Sequence, residues 1–115
     1  MDYFAQGNNL YEIENYKDAL HMYQKSIELN ENTLSSMYNS AVCHIKLKEF
    51  DSAIAILKEL IALKQESKYY FNLAYSYAMI GNTQKALYNF NLAWCLDEND
   101  TECEKAIELM LKQAQ

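Results

Sequence analysis

Small side chains recur at a nearly constant interval along this chain of 115 residues. The first series, separated by 34 and then 33 positions, consists of Gly7, Ala41 and Ala74. A second series keeps the same intervals, always twelve positions further on, and consists of Ala19, Ala53 and Ala86. Two independent landmarks with one period indicate three copies of a single structural unit.

Each unit contains two helical patterns. The first pattern places core residues at i, i+4 and i+7, which is one face of an α-helix: Tyr3, Gly7 and Leu10, then Met37, Ala41 and His44, then Tyr70, Ala74 and Tyr77. The second begins at the alanine, and short breaks at Glu14-Asn15, Lys48-Glu49 and Gly81-Asn82 predict helical hairpins. Thr83 is the expected N-cap of the last second helix. Two glycines and no proline are too few for the tight turns of an all-β fold or a doubly wound α/β fold.

The period and these landmarks resemble the tetratricopeptide repeat family, whose unit is a helix–turn–helix of 34 residues. The resemblance implies an all-α, right-handed α-α superhelix, a solenoid forming a single domain over residues 1–115. The repeats are expected at about 1–33, 34–66 and 67–100. A capping helix is expected at about 101–114, where Thr101 and Glu104 have the spacing of a capping box.

A second stripe on the first helices lies one residue further round, and it combines aromatic rings with asparagines. In a stack of helical hairpins the first helices line the concave side, so the stripe predicts a groove for a peptide segment. The predicted groove residues are Phe4, Asn8, Tyr11, Tyr38, Asn39, Val42, Phe71, Asn72, Tyr75 and Met79. Two alternatives stay open, since the rings could complete the core between repeats and the amides could bridge helices within the stack.

One subclass of the family binds chaperone C-termini with a clamp of lysines, asparagines and an arginine around two carboxylates. Asn8 and Asn39 match its asparagines, and Lys68 matches one lysine. The other lysine is replaced by Phe4 and the arginine by Asn72. Without a planar guanidinium the bidentate grip on a carboxylate is lost. We therefore expect that the full clamp is not used.

The charge of the chain excludes further classes of partner. Ten lysines, no arginine and sixteen acidic residues give a net charge of −6, which disfavours nucleic acid and anionic membranes. No secretory signal and no apolar run of spanning length are found, so membrane insertion is not expected. Three cysteines, an odd number without close pairs, favour reduced thiols in the cytoplasm.

No constellation for chemistry stands out. His44 beside Cys43 is one pair in the expected core, and a zinc site needs more ligands at short spacing. Phosphate-binding, nucleophile-elbow and metalloprotease motifs are missing. The sequence thus predicts a protein that is not an enzyme, has no cofactor or metal, and binds a peptide of a partner protein as an adaptor or chaperone-like scaffold. The alternative is self-assembly, with Tyr69, Tyr88 or the groove meeting a second copy.

Overall fold

A computed structural model describes residues 1–97 and 101–113. Within these ranges the secondary structure consists of seven α-helices: α1 (Tyr3–Glu12), α2 (Tyr16–Glu28), α3 (Thr33–Lys46), α4 (Phe50–Leu63), α5 (Ser67–Met79), α6 (Thr83–Leu96) and α7 (Thr101–Gln113). The predicted all-α class is confirmed, and each predicted hairpin break falls between two helices. Glu98 and Asp100, at the end of the third predicted repeat, lie outside the described residues, as does residue 114.

The chain divides into two compact units. The first, Met1–Ile56, holds α1, α2, α3 and the start of α4; α2 packs against both α1 and α3. Its core is a cluster of Ala19, Tyr23 and Cys43, surrounded by Phe4, Leu10, Tyr11, Tyr16 and Leu20. The second unit begins at Leu57, and in it α6 packs against α5 and α7. Its buried side chains include Tyr70, Leu73, Ala74, Tyr77, Phe90 and Ala93.

The turns inside the three hairpins have one backbone design. In each, the second residue after the helix has a positive φ, at 63°, 61° and 85° for Glu14, Lys48 and Gly81. After α1 the N–H of Glu14 donates to the Tyr11 carbonyl, and the N–H of Asn15 donates to the Leu10 carbonyl, both at 2.9 Å. The same pair of bonds closes α3 and α5. This is the Schellman motif, which satisfies the carbonyl groups left open at a helix end and reverses the chain.

Asparagines start the second helices of two hairpins. Asn15 accepts from the N–H of Asp18 at 3.3 Å, and Asn82 accepts from the N–H of Lys85 at 3.2 Å. These bonds satisfy amide groups that have no partner within the helix. The prediction of Thr83 as N-cap was wrong by one residue, because the side chain of Asn82 already occupies that role and Thr83 is the first helical residue.

One surface residue of the sequence prediction is not on the surface. Tyr69 was expected at an exposed edge, but only 3% of it is exposed, because it lies on the packed side of α5. Tyr88 is 64% exposed on α6, as expected. His44 is half-buried, and its Nδ1 lies 2.9 Å from Oε1 of Glu49 across the turn between α3 and α4.

Candidate functional site

A pocket of about 400 Å³ opens in the first unit. Its lining residues are Asn8, Tyr11, Glu12, Tyr23, Tyr38, Asn39 and Val42. Half of the predicted groove residues are therefore brought together around one cavity. The lining combines aromatic and aliphatic surface with a few polar groups, which is the usual make-up of a binding site.

Helical spacing explains why these side chains meet. Asn8 and Glu12 are four residues apart on α1, and Tyr38 and Val42 are four residues apart on α3, so each pair shares a helix face. Tyr23 reaches the same pocket from α2, which packs against both of these helices. The pocket is thus built by three helices, with the tyrosine of the middle one contributing its ring and hydroxyl.

Three side chains form a hydrogen-bonded cluster in this pocket. The Tyr23 hydroxyl donates to Oδ1 of Asn8 at 2.7 Å, and Nδ2 of Asn39 donates to the same oxygen at 3.2 Å. Nδ2 of Asn39 also lies 3.5 Å from the Tyr23 hydroxyl oxygen, which can accept a weaker bond. The cluster ties α1, α2 and α3 together by their side chains.

Close packing holds the Tyr23 ring in place. Only 1% of Tyr23 is exposed, and a Cβ built on Gly7 would lie 2.6 Å from its Cε1. Gly7 therefore allows the ring to approach the backbone of α1. Phe4 also packs against the ring, with centroids 6.0 Å apart and planes tilted by 51°. Phe4 accordingly packs against the core, and it is not among the pocket-lining residues.

Burial keeps the ionisable groups around Tyr23 protonated. It raises the pKa of Tyr23 to about 12 and that of the Cys43 thiol to about 11. Burial also raises the pKa of Tyr11, against a smaller lowering by the charge of Lys46. Since a low-polarity environment penalises the charged form, these groups stay neutral to higher pH than exposed tyrosine and cysteine side chains do. Among the lining residues, Glu12 is the one acidic side chain.

The third-repeat residues of the predicted groove lie in the second unit. Phe71 contacts Phe90 edge to face, with centroids 5.4 Å apart. The amide of Asn72 donates to the carbonyl oxygen of Lys68, one turn earlier on α5, at 2.9 Å. The two most exposed members, at 39% and 49%, are Tyr75 and Met79.

Sequence reasoning missed two lining residues, Tyr23 and Glu12. Tyr23 follows the repeated Ala19 by four residues and so shares its core face on α2, but its hydroxyl extends to the pocket. The sequence did contain a signal for a special role of the Tyr23 hydroxyl. The matching positions of the other repeats are Leu57 and Phe90, and neither side chain has a hydroxyl. Glu12 follows Asn8 by four residues and so shares its helix face.

Two properties of residues 1–97 and 101–113 bear on other functions. They contain no group of three or more His, Cys, Asp or Glu side chains placed to hold a metal ion. Within the same ranges every helix is too short or too polar to cross a bilayer.

Helices in repeating pairs, with a side-chain pocket formed by α1, α2 and α3, define a helical-repeat protein of the tetratricopeptide type. The family model described as anaphase-promoting complex, cyclosome, subunit 3, matches residues 1–60. The chain belongs to this family of tetratricopeptide repeat sequences, as the sequence resemblance predicted.

The chain is also similar to curated proteins and to a solved structure. Human sperm-associated antigen 1 is 28% identical over 90% of this chain and 11% of its own length. Yeast heat shock protein STI1 is 26% identical over 93% of this chain and 18% of its own length. The chain thus spans less than a fifth of either relative. The structure titled first TPR of Spaghetti (RPAP3) bound to HSP90 peptide SRMEEVD has a TM-score of 0.91 at 18% identity, covering 97% of this chain and 90% of that one. At this identity the likeness shows the fold.

Proposed function

We propose that this chain is a non-catalytic interaction module that holds a segment of a partner protein in the pocket lined by Asn8, Tyr23 and Asn39. It acts as an adaptor or chaperone-like scaffold in the cytoplasm, without metal or cofactor. Two similarities support a protein partner. The TPR domain of RPAP3 is described as bound to an HSP90 peptide, and STI1 is named a heat shock protein.

The observation that carries the proposal is the pair of asparagines in an apolar pocket. Aromatic and aliphatic walls from Tyr11, Tyr38 and Val42 favour burial of an apolar side chain, since rings offer large contact area with few rotatable bonds. The amides of Asn8 and Asn39 supply a donor and an acceptor for a peptide backbone. Together they suit a segment recognised through its backbone and one apolar side chain.

The charge of the pocket argues against a C-terminal carboxylate as the anchoring group. Glu12 lines the pocket, and Phe4 stands where the carboxylate clamp has a lysine. A carboxylate placed here would be repelled and would lack a guanidinium to bind it. We expect the peptide SRMEEVD and its C-terminally amidated form to bind with affinities within about twofold of each other. Tight binding that disappears on amidation would contradict this expectation.

The proposal is tested by selecting binders from a displayed library of random short peptides. Synthetic versions of the selected peptides are then titrated calorimetrically into the protein. We expect micromolar binding that Asn39→Ala weakens about two- to tenfold, the usual net value of one hydrogen bond.

Asn9→Ala is the matched control, because Asn9 is exposed on α1 directly beside Asn8. This variant should bind the selected peptides as the unmodified protein does. Failure to select any binder, or equal affinities for the Asn39→Ala and Asn9→Ala variants, would refute the proposed site. Circular dichroism of each variant checks that helicity is retained.

Self-assembly is a second candidate, and one observation favours it. Tyr88 on α6 is 64% exposed, so its ring is available to contact a second copy of the chain. Light scattering over a concentration series, with Tyr88→Ala in parallel, distinguishes the two functions. A dimer that the substitution dissociates supports assembly, whereas a monomer at high concentration refutes it.

A further inference from the structure

Packing at the position of Tyr23 does not require a hydroxyl group. Leu57 and Phe90 fill the matching positions of the second and third repeats, and both are buried, at 0% and 4% exposure. A side chain without a hydroxyl therefore serves at this position elsewhere in the same chain. Burying a hydroxyl costs free energy unless it makes a hydrogen bond, so the oxygen of Tyr23 calls for a separate explanation.

The hydrogen bonds among Tyr23, Asn8 and Asn39 together orient the two amides. The Tyr23 hydroxyl donates to Oδ1 of Asn8 at 2.7 Å, so the carbonyl end of Asn8 points toward Tyr23. Asn39 points its amino group at the same place, toward Oδ1 of Asn8 at 3.2 Å and the Tyr23 oxygen at 3.5 Å. The pKa of Tyr23, raised to about 12 by burial, keeps the hydroxyl protonated and able to donate.

These orientations leave one end of each amide unused. Among the described residues no hydrogen bond reaches Nδ2 of Asn8 or Oδ1 of Asn39. Among the described residues, Oγ of Ser36 is the side-chain nitrogen or oxygen atom that is both buried and without a hydrogen-bond partner. Nδ2 of Asn8 and Oδ1 of Asn39 also have no partner, so they must be accessible to solvent. The cluster thus offers N–H donors from Asn8 and a carbonyl acceptor from Asn39, which is the complement of one peptide unit.

We infer that Tyr23 is a positioning residue, whose hydroxyl turns Asn8 and Asn39 so that they bind the carbonyl and the N–H of a single peptide unit in the pocket. This inference rests on the proposed function and specifies its ligand. The ligand must have a secondary amide at that point, so a proline or an N-methylated residue would not be accepted there. The Tyr23 hydroxyl can donate or accept, but its 2.7 Å separation from Asn8 is typical of an O–H···O bond and short for an N–H···O bond. A flip of Asn8 alone would also place its amino group against that of Asn39.

The first test uses the free protein and needs no ligand. Tyr23→Phe keeps the ring and removes the oxygen, as in the third repeat, while Tyr88→Phe removes an exposed hydroxyl and serves as the control. We expect proton–nitrogen correlation spectra to show displaced side-chain amide signals for Asn8 and Asn39 in Tyr23→Phe only. Unchanged signals in that variant would overturn the inference.

The second test uses a library-selected peptide and its analogues in which each backbone amide in turn is replaced by an ester. An ester cannot donate, so one replacement should weaken binding to the unmodified protein about two- to tenfold by removing the bond to Asn39. In Tyr23→Phe the parent peptide should bind more weakly, and the ester effect at that position should shrink. A purely structural role of the tyrosine would leave the ester effect unchanged, which would refute the inference.

The two tests separate the inference from the proposed function. If no peptide binds, the proposed function fails, and the amide signals still decide whether Tyr23 orients the asparagines. If a peptide binds equally well to the unmodified protein and to Tyr23→Phe, and each ester analogue loses the same affinity for both proteins, the module binds peptides but the inference is wrong.

Discussion

Replacing Gly7 with alanine adds one methyl group at the tightest point of the first repeat. The new Cβ would lie 2.6 Å from Cε1 and 2.7 Å from Cδ1 of Tyr23. Carbon atoms in good contact are about 3.5 to 4.0 Å apart, so the ring would have to retreat by about 1 Å. The ring is 1% exposed, and its hydroxyl is bonded to Asn8, so it has little freedom to do so.

The expected loss of stability is the difference between two effects. Overpacking of a filled core costs about 1 to 3 kcal/mol, whereas alanine in place of glycine inside a helix contributes about 1 kcal/mol. Gly7 lies within α1 and has no positive φ, so the helix contribution applies in full. Because a fully buried ring would have to move by about 1 Å, the overpacking cost falls in the upper half of its range, about 2 to 3 kcal/mol. We therefore expect Gly7→Ala to lower the free energy of unfolding by about 1 to 2 kcal/mol, which corresponds to a fall in Tm of about 4 to 8 °C.

Urea denaturation followed by circular dichroism measures this change. The decisive comparison is Gly7→Ala in a Tyr23→Leu background, because the second repeat combines Ala41 with Leu57 at the matching positions. There the methyl group has no ring to displace, and only the helix contribution remains. The coupling between the two substitutions should therefore exceed about 1 kcal/mol. An unchanged or raised stability of Gly7→Ala alone, or the same effect in both backgrounds, would refute the reasoning.

Three further predictions concern single residues. Glu14→Gly and Lys48→Gly should each raise the free energy of unfolding, measured by urea denaturation, by about 0.5 to 1 kcal/mol. The reason is that φ values of 63° and 61° strain a residue with a side chain but not glycine. A loss of stability would contradict this prediction. Ser36→Ala should raise the free energy of unfolding by about 1 kcal/mol, since its buried hydroxyl has no partner among the described residues, and a decrease in the same assay would be evidence against that. Cys43 should resist a thiol reagent at mildly alkaline pH in the native protein, because burial raises its pKa to about 11 and the thiolate forms only near that pH. The exposed Cys95 should react. Peptide mapping by mass spectrometry measures the labelling, and equal labelling of both cysteines would contradict the prediction.

The helices and turns of this fold could be predicted because local signals determine them. Small residues recur with helical spacing on one face of each helix, and this spacing predicts the helices. The breaks after Ile13, Leu47 and Ile80 predict the turns. The N-cap of α6 was misplaced by one residue because Asn82 and Thr83 are both good capping residues and only the backbone geometry distinguishes them.

The pocket was only partly predictable, because its details depend on packing between helices. Phe4 and Tyr38 occupy the same position in their repeats, yet Phe4 packs against Tyr23 while Tyr38 lines the pocket. Asn39 and Asn72 also match, but Asn39 bonds to Asn8 on another helix and Asn72 bonds to a carbonyl of its own helix. The period of a sequence predicts which helix face an asparagine lies on. It does not predict the hydrogen-bond partner of the side-chain amide, because carbonyl groups of the same helix compete with partners on other helices.

The acidic side chain on the pocket affects how fast a partner arrives. Glu12 lies beside the pocket of a chain whose net charge is −6, so a partner segment rich in lysine or arginine is attracted over a distance of about one Debye length, roughly 8 Å in physiological salt. Its association rate constant should fall as the ionic strength rises. The dissociation rate constant should change little, because release requires breaking short-range contacts with rings and amides that salt screens only weakly.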